Sequence, residues 1–148
     1  MKSFKNLATL ICLIISLSIT AQEKNKKSEI EMIRTTLMDY IEGTANGQPD
    51  RLKRAFHPDF KLYTVRGDSA WARSGKRYIA NIKKGKKSNR IGRIIAIDYE
   101  NNAASAKVEI LMPNYGRMYT DYFLLLKYKG SWKIVQKSYT FRPYPVKQ

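Results

Sequence analysis

The chain has 148 residues, with 28 Lys plus Arg against 12 Asp plus Glu and a formal net charge of +16. That length fits one domain, and 43% hydrophobic with 11% aromatic residues excludes an intrinsically disordered chain. One Cys excludes a disulfide scaffold and a multi-cysteine zinc site, and one His excludes any site with two His ligands, so no metal centre is expected.

Lys2 and Lys5 precede an apolar run from Leu7 to Ile19, and cleavage after the small Ala21 leaves Gln22 first. This is the layout of a secretory signal peptide over residues 1–21. The run is shorter than the roughly 20 residues a membrane span needs. Cys12 follows Thr9-Leu10-Ile11, which lacks the small residues of a lipoprotein cleavage site, so it reads as a hydrophobe removed with the peptide. The expected destination is export, to a periplasm or beyond, and the mature chain carries no disulfide.

Residues 22–27 are polar and lysine-rich and read as a flexible leader. Ser28 with Glu31 three positions later forms a capping-box pattern, and Ile30, Ile33, Leu37, Tyr40 and Ile41 recur at helical spacing. Gly43 and Asn46-Gly47 end this first helix. Pro49 suits the first turn of a second helix carrying Leu52, Ala55 and Phe56, which His57-Pro58-Asp59 terminates. Phe60 to Val65 reads as a short strand, Arg66-Gly67-Asp68 as a turn, and Trp71 falls in a loop. Ser74 caps a third helix over Gly75 to Lys84 with Tyr78, Ile79 and Ile82.

The remainder reads as an antiparallel meander of four strands. These are Arg90 to Tyr99, Ala103 to Met112, Arg117 to Tyr128 and Trp132 to Phe141, separated by Asn101-Asn102, Pro113 to Gly116 and Lys129-Gly130. Ala104, Ala106, Val108 and Ile110 share one face, and the two alanines leave room beside it. Tyr122 to Leu126 is apolar on both faces, so both faces are expected to be covered. Pro143 and Pro145 end regular structure, leaving residues 143–148 as a tail. Helices gathered ahead of a meander indicate an α+β domain with helices packed on one face of a curved sheet.

Around Tyr40-Ile41-Glu42-Gly43, Gly47-Gln48-Pro49-Asp50 and Ala55-Phe56-His57-Pro58-Asp59, the chain resembles the start of nuclear transport factor 2-like domains. Thr120-Asp121-Tyr122 and Gly130-Ser131-Trp132-Lys133-Ile134-Val135 resemble the SnoaL-like and "putative lumazine-binding" branch of that superfamily. The resemblance spans residues 28–142. It implies a cone-shaped, cystatin-like α+β domain, with three N-terminal helices and a curved antiparallel sheet enclosing a pocket, often paired into homodimers through the sheet. Such a fold hosts many unrelated functions, and the branch name does not by itself imply lumazine binding. Relatives include ketosteroid isomerase, scytalone dehydratase, polyketide cyclases and modules without catalysis. The isomerase's catalytic tyrosine matches Tyr40, but its general-base aspartate falls on Thr64, which cannot serve as that base. Its second oxyanion donor falls near Asp121, not on it. Isomerase activity therefore does not carry over. Cyclases of the fold pair an acidic residue with a His, for which Asp121 and His57 are the candidates here.

The pocket candidates are Tyr40, His57, Tyr63, Trp71, Tyr78, Tyr119 and Asp121, an aromatic wall suited to a small apolar or aromatic ligand. Asp121 reads either as an acid–base group or as the ion-pair partner of Lys137. His57 reads either as a proton carrier or as a helix-ending residue bonded to backbone. No acidic residue occurs between Asp68 and Asp98. Lys83, Lys84, Lys86, Lys87, Arg90 and Arg93 in that interval suit either a solvated face or an anionic envelope component. No nucleic-acid-binding motif, dinucleotide fingerprint, phosphate-cradling loop or nucleophile elbow is present, so neither a nucleic-acid partner nor a cofactor is expected. Three functions stay open: an exported binding domain without catalysis; a small lyase, isomerase or cyclase using Asp121, His57 and Tyr40; and a basic surface module.

Overall fold

A computed structural model of the chain describes residues 27–144. The expected signal peptide, most of the expected leader and the end of the expected tail lie outside the described residues. Helix α1 runs Glu29–Ala45, α2 Pro49–Ala55 and α3 Gly75–Ala80; the strands are β1 (Phe56–Arg66), β2 (Ser69–Ser74), β3 (Ile91–Glu100), β4 (Ala103–Met112), β5 (Arg117–Tyr128) and β6 (Ser131–Pro143). The Ser28 hydroxyl accepts from the Glu31 N–H at 3.3 Å and so caps α1. Ile33, Leu37, Tyr40 and Ile41 form the buried stripe of α1. Asp39 ties α1 to α2 by receiving Arg51 at 2.7 Å and Arg54 at 3.1 Å. Burial acts to raise the Asp39 carboxyl, and the two guanidiniums override it, leaving it below the ordinary carboxylate value.

The six strands form one sheet in the order β2-β1-β6-β5-β4-β3. The meander β3-β4-β5-β6 is antiparallel throughout, and β1 joins it parallel to β6. Register shifts in β3, in β5 against β6 and in β1 mark bulges, which bend and twist the sheet. Trp132 and Ile134 of β6, Phe123 and Leu125 of β5, and Val108 of β4 face the helices and are buried with α1 and α2. Gly92 lets α1 approach β3 closely, since a Cβ there would stand 2.5 Å from Ile41 Cγ2. The Trp132 indole N–H donates to Glu29 at 2.8 Å, giving the largest core side chain a partner for its one polar atom.

Four local expectations are corrected. Ser69–Ser74 is a strand, so Trp71 lies opposite Thr64 in a β1–β2 hairpin and not in a loop. An exposed edge strand needs little apolar periodicity, and its pattern Ser-Ala-Trp-Ala-Arg-Ser shows little. Phe56 begins β1 instead of ending α2, and His57-Pro58-Asp59 sits in the strand where its pairing with β6 is interrupted, a position that tolerates proline. Helix α3 stops at Ala80, not Lys84. A helix continued through Lys83, Lys84, Lys86 and Lys87 would stack like charges one turn apart. Finally, only one face of β5 is covered by the described residues. Phe123 and Leu125 are buried, whereas Tyr122, Leu124 and Leu126 are 52%, 50% and 46% exposed.

Candidate functional site

The inner face of the sheet carries two ionisable side chains at positions where alternation places core residues. Asp121 on β5 is 1% exposed and Lys137 on β6 is 5% exposed. Asp121 faces inward because it shares parity with Phe123 and Leu125. Lys137 faces inward because the bulge at Leu124/Leu125 moves the parity of β6 by one residue, so that Phe123 pairs with Lys137 and Leu125 with Ile134. Tyr40 reaches them from α1. Its hydroxyl donates to Asp121 Oδ2 at 2.5 Å and accepts from Lys137 Nζ at 2.8 Å, and Lys137 Nζ stands 2.9 Å from the same Asp121 oxygen. The ammonium is further enclosed by the rings of Tyr40 at 4.9 Å and Tyr139 at 5.1 Å.

This trio is the floor of a cavity of about 170 Å³. Tyr78 from α3 and Tyr119 and Tyr139 from the sheet form aromatic walls, Leu62, Ile110 and Met112 apolar ones, and Arg73 and Arg90 bring two half-buried guanidiniums. Three cations and one carboxylate then line the cavity, so it favours an anionic occupant. Asp121 Oδ1 is buried and has no hydrogen-bond partner among the described residues. Leaving such an acceptor unpaired costs about 1–3 kcal/mol, and a hydroxyl or N–H donor entering the cavity recovers it.

Burial first, and then the Asp121 charge, push the Tyr40 hydroxyl well above its ordinary value of 10.0. Tyr40 is therefore a neutral donor at physiological pH. A pKa raised on folding contributes stability that is complete below the unfolded value and is lost as pH climbs towards the folded one. Stability should therefore fall as pH rises above about 10. The Tyr40→Phe variant should show a shallower fall over the same range, measured by urea unfolding in a pH series. An unchanged slope would remove Tyr40 from the buried network.

Tyr40, Tyr78, Tyr119 and Asp121 thus meet in one cavity, and three other candidates do not join them. His57 lines a separate apolar groove of about 490 Å³ with Phe56, Phe60 and Ile79. Its Nδ1 accepts from the Asp59 N–H at 3.2 Å, and its ring lies 5.5 Å from that of Tyr128. Tyr128 is on the order of 20 Å along β5 from Asp121, so an Asp121–His57 pair does not form. Tyr63 pairs with Ser138 and lines a groove on the outer face of the sheet. Trp71 lies beyond the cavity walls, under the Arg66 guanidinium at 3.8 Å. Ala104 and Ala106 are buried in the core cluster and do not line this cavity. Nor do the six basic candidates form one patch. Lys83, Lys84, Lys86 and Lys87 are exposed, Arg90 lines the cavity, and Arg93 is bonded to Glu109 at 2.6 Å. Among the described residues no cluster of three or more His, Cys, Asp or Glu is positioned to hold a metal. The roles of Arg73 and Arg90 escape a reading of the chain, because their convergence needs the β1–β2 hairpin and the segment after α3 to be placed in space.

Residues 28–140 match the family described as "Putative lumazine-binding". A curated relative, the aldolase FrzH of Cladobotryum sp., is 27% identical over 119 residues, which cover 80% of this chain and 94% of that protein. A crystal structure of an NTF2-like protein of unknown function from Methylobacillus flagellatus aligns with TM-score 0.66 and 28% identity, covering 79% of this chain and 96% of that one. Another, from Shewanella baltica, aligns with TM-score 0.67 and 25% identity over 80% and 99% of the two chains.

Proposed function

The chain belongs to the "Putative lumazine-binding" family of NTF2-like domains, and we propose that it is a pocket protein for a small, anionic, oxygen-rich molecule. The observation that carries this reading is the unpartnered Asp121 Oδ1 in a cavity framed by Lys137, Arg73 and Arg90. A ligand carboxylate or enolate meets the guanidiniums, and a ligand hydroxyl or N–H meets Asp121. The cavity's volume corresponds to about six water-sized groups, which suits a molecule of that many heavy atoms. This narrows the expectation of a flat apolar or aromatic ligand, because the floor is charged.

Arg73→Ala and Arg90→Ala are each expected to weaken binding of a small hydroxy acid such as lactate by about tenfold or more, since a hydrogen bond to a charged group contributes about 1.5–3 kcal/mol. Titration calorimetry or ligand-observed NMR measures this. Equal binding by wild type and both variants would overturn the reading.

A second reading, catalysis, is favoured by the relative named an aldolase, which aligns over 94% of its length. In that reading Asp121 is the base and Tyr40 the proton donor, with no part for His57. Export through residues 1–21 and pairing of two copies through the outer sheet face complete the proposal. The first is supported by the charge and apolar pattern of the leader. The second is supported by the exposed Tyr122, Leu124 and Leu126.

A further inference from the structure

Lys137 has a feature that anion binding alone does not use. An amine placed only to attract a carboxylate works from a solvated rim. This one is buried on the cavity floor, within hydrogen-bond distance of both a carboxylate and a neutral phenol. Those are the groups that amine addition to a carbonyl requires: a base to free the nitrogen lone pair and an acid to protonate the oxygen. The two guanidiniums of Arg73 and Arg90 line the same cavity.

We infer that Lys137 is a nucleophile that captures a small 2-oxo acid as a protonated imine on the floor of this cavity. The inference rests on the anion-binding reading above and assigns the reacting atom within it. Asp121 takes one proton from the Lys137 ammonium. The freed lone pair forms a C–N bond to the carbonyl carbon, the C–O π pair moves to oxygen, and Tyr40 protonates that oxygen. Asp121 returns its proton to the hydroxyl as the C–O bond breaks. Water leaves, and a second N–H proton passes to Tyr40. The sum is ammonium plus carbonyl giving iminium plus water, with no oxidant or reductant consumed. The carboxylate of the 2-oxo acid faces Arg73 and Arg90. The iminium acidifies the neighbouring C–H, whose proton Asp121 is placed to accept, so the product is set for carbon–carbon bond formation or cleavage.

The test uses pyruvate as probe, with cyanoborohydride to reduce any imine to a stable secondary amine. Intact mass spectrometry should show one reduced pyruvyl adduct per chain, and peptide mapping should place it on Lys137. Labelling at that residue should exceed labelling at the exposed Lys83, Lys84, Lys86 and Lys87 by at least tenfold, and saturating lactate should suppress it. Lys137→Arg retains the positive charge but forms no imine, and should lose the adduct. Label distributed evenly over exposed lysines and missing from Lys137 overturns the inference. Lactate binding that depends on Arg73, with no adduct at Lys137, leaves the anion-binding reading standing and removes the nucleophile. Absence of both lactate binding and adduct removes both.

Discussion

Replacing Lys137 by methionine is expected to lower folding stability by about 3–5 kcal/mol, the usual cost of removing one partner from a buried ion pair. Methionine fills much of the same volume, so the loss is electrostatic and not a cavity effect. Asp121 would be left 1% exposed without the ammonium that stands 2.9 Å away, keeping the Tyr40 hydroxyl at 2.5 Å as a neutral donor. The double variant Asp121→Asn, Lys137→Met removes both charges and should recover most of the loss, because a neutral amide still accepts from Tyr40. Urea unfolding of the wild type, both single variants and the double variant forms a thermodynamic cycle whose coupling should exceed about 2 kcal/mol. Additive losses would mean that the two side chains act independently. The same cycle bears on function: the domain retains an ion pair that an apolar substitution would replace at little net cost, and retention is explained if the pair acts on a ligand.

The Gly47→Ala variant is expected to be destabilised by about 3–4 kcal/mol, combining left-handed backbone strain of about 1–2 kcal/mol with the loss of two backbone hydrogen bonds of about 1 kcal/mol each. Gly47 has φ +61°, and a Cβ there would stand 2.5 Å from the Lys83 carbonyl and 2.6 Å from that of Lys86. Both obstacles are backbone, so no side chain can swing aside. Relief requires the lysine-rich segment after α3 to leave its seat, where the Gly85 N–H donates to Gly47 O at 2.8 Å and the Ser88 N–H to Ala45 O at 2.7 Å. Amide hydrogen exchange at Gly85 and Ser88 should accelerate in the variant, and urea unfolding should report the loss. Because this segment leads into Arg90, its release should also weaken anion binding. Native stability together with native protection would show that the segment is not held by Gly47.

Much of the architecture is legible along the chain because its signals are local. The cap at Ser28, the 3.6-residue stripe of α1, the Asn101-Asn102 turn and the alternation of β4 each act over a few residues, and the structure has an element at each. The site is less legible. Tyr40, Tyr78, Tyr119 and Asp121 converge, whereas His57, Tyr63 and Trp71 point elsewhere. For Trp71 the error follows from the missed edge strand, whose side chains bury too little to impose a pattern. For His57 it follows from residue chemistry: a single imidazole attracts a catalytic reading, and only its position at the far end of β5 shows that no carboxylate of the cavity reaches it.

What the amino-acid order determined by itself was the class of fold and the meander, since periodicity and turn chemistry are properties of adjacent residues. It also offered Lys137 as the ion-pair partner in one of two readings of Asp121, and the structure has that pair at 2.9 Å. Tertiary structure decided that both face inward with Tyr40 between them. For Lys137 that outcome depends on one bulge in β6, where the extra residue Val135 exchanges the buried and exposed faces of everything beyond it. It likewise decided that Arg73 and Arg90, seventeen positions apart in the chain, line the same cavity as that carboxylate. Charge converges there because a parallel β1–β6 pairing and a docked segment bring distant backbone together, and neither is encoded within the span of any local pattern.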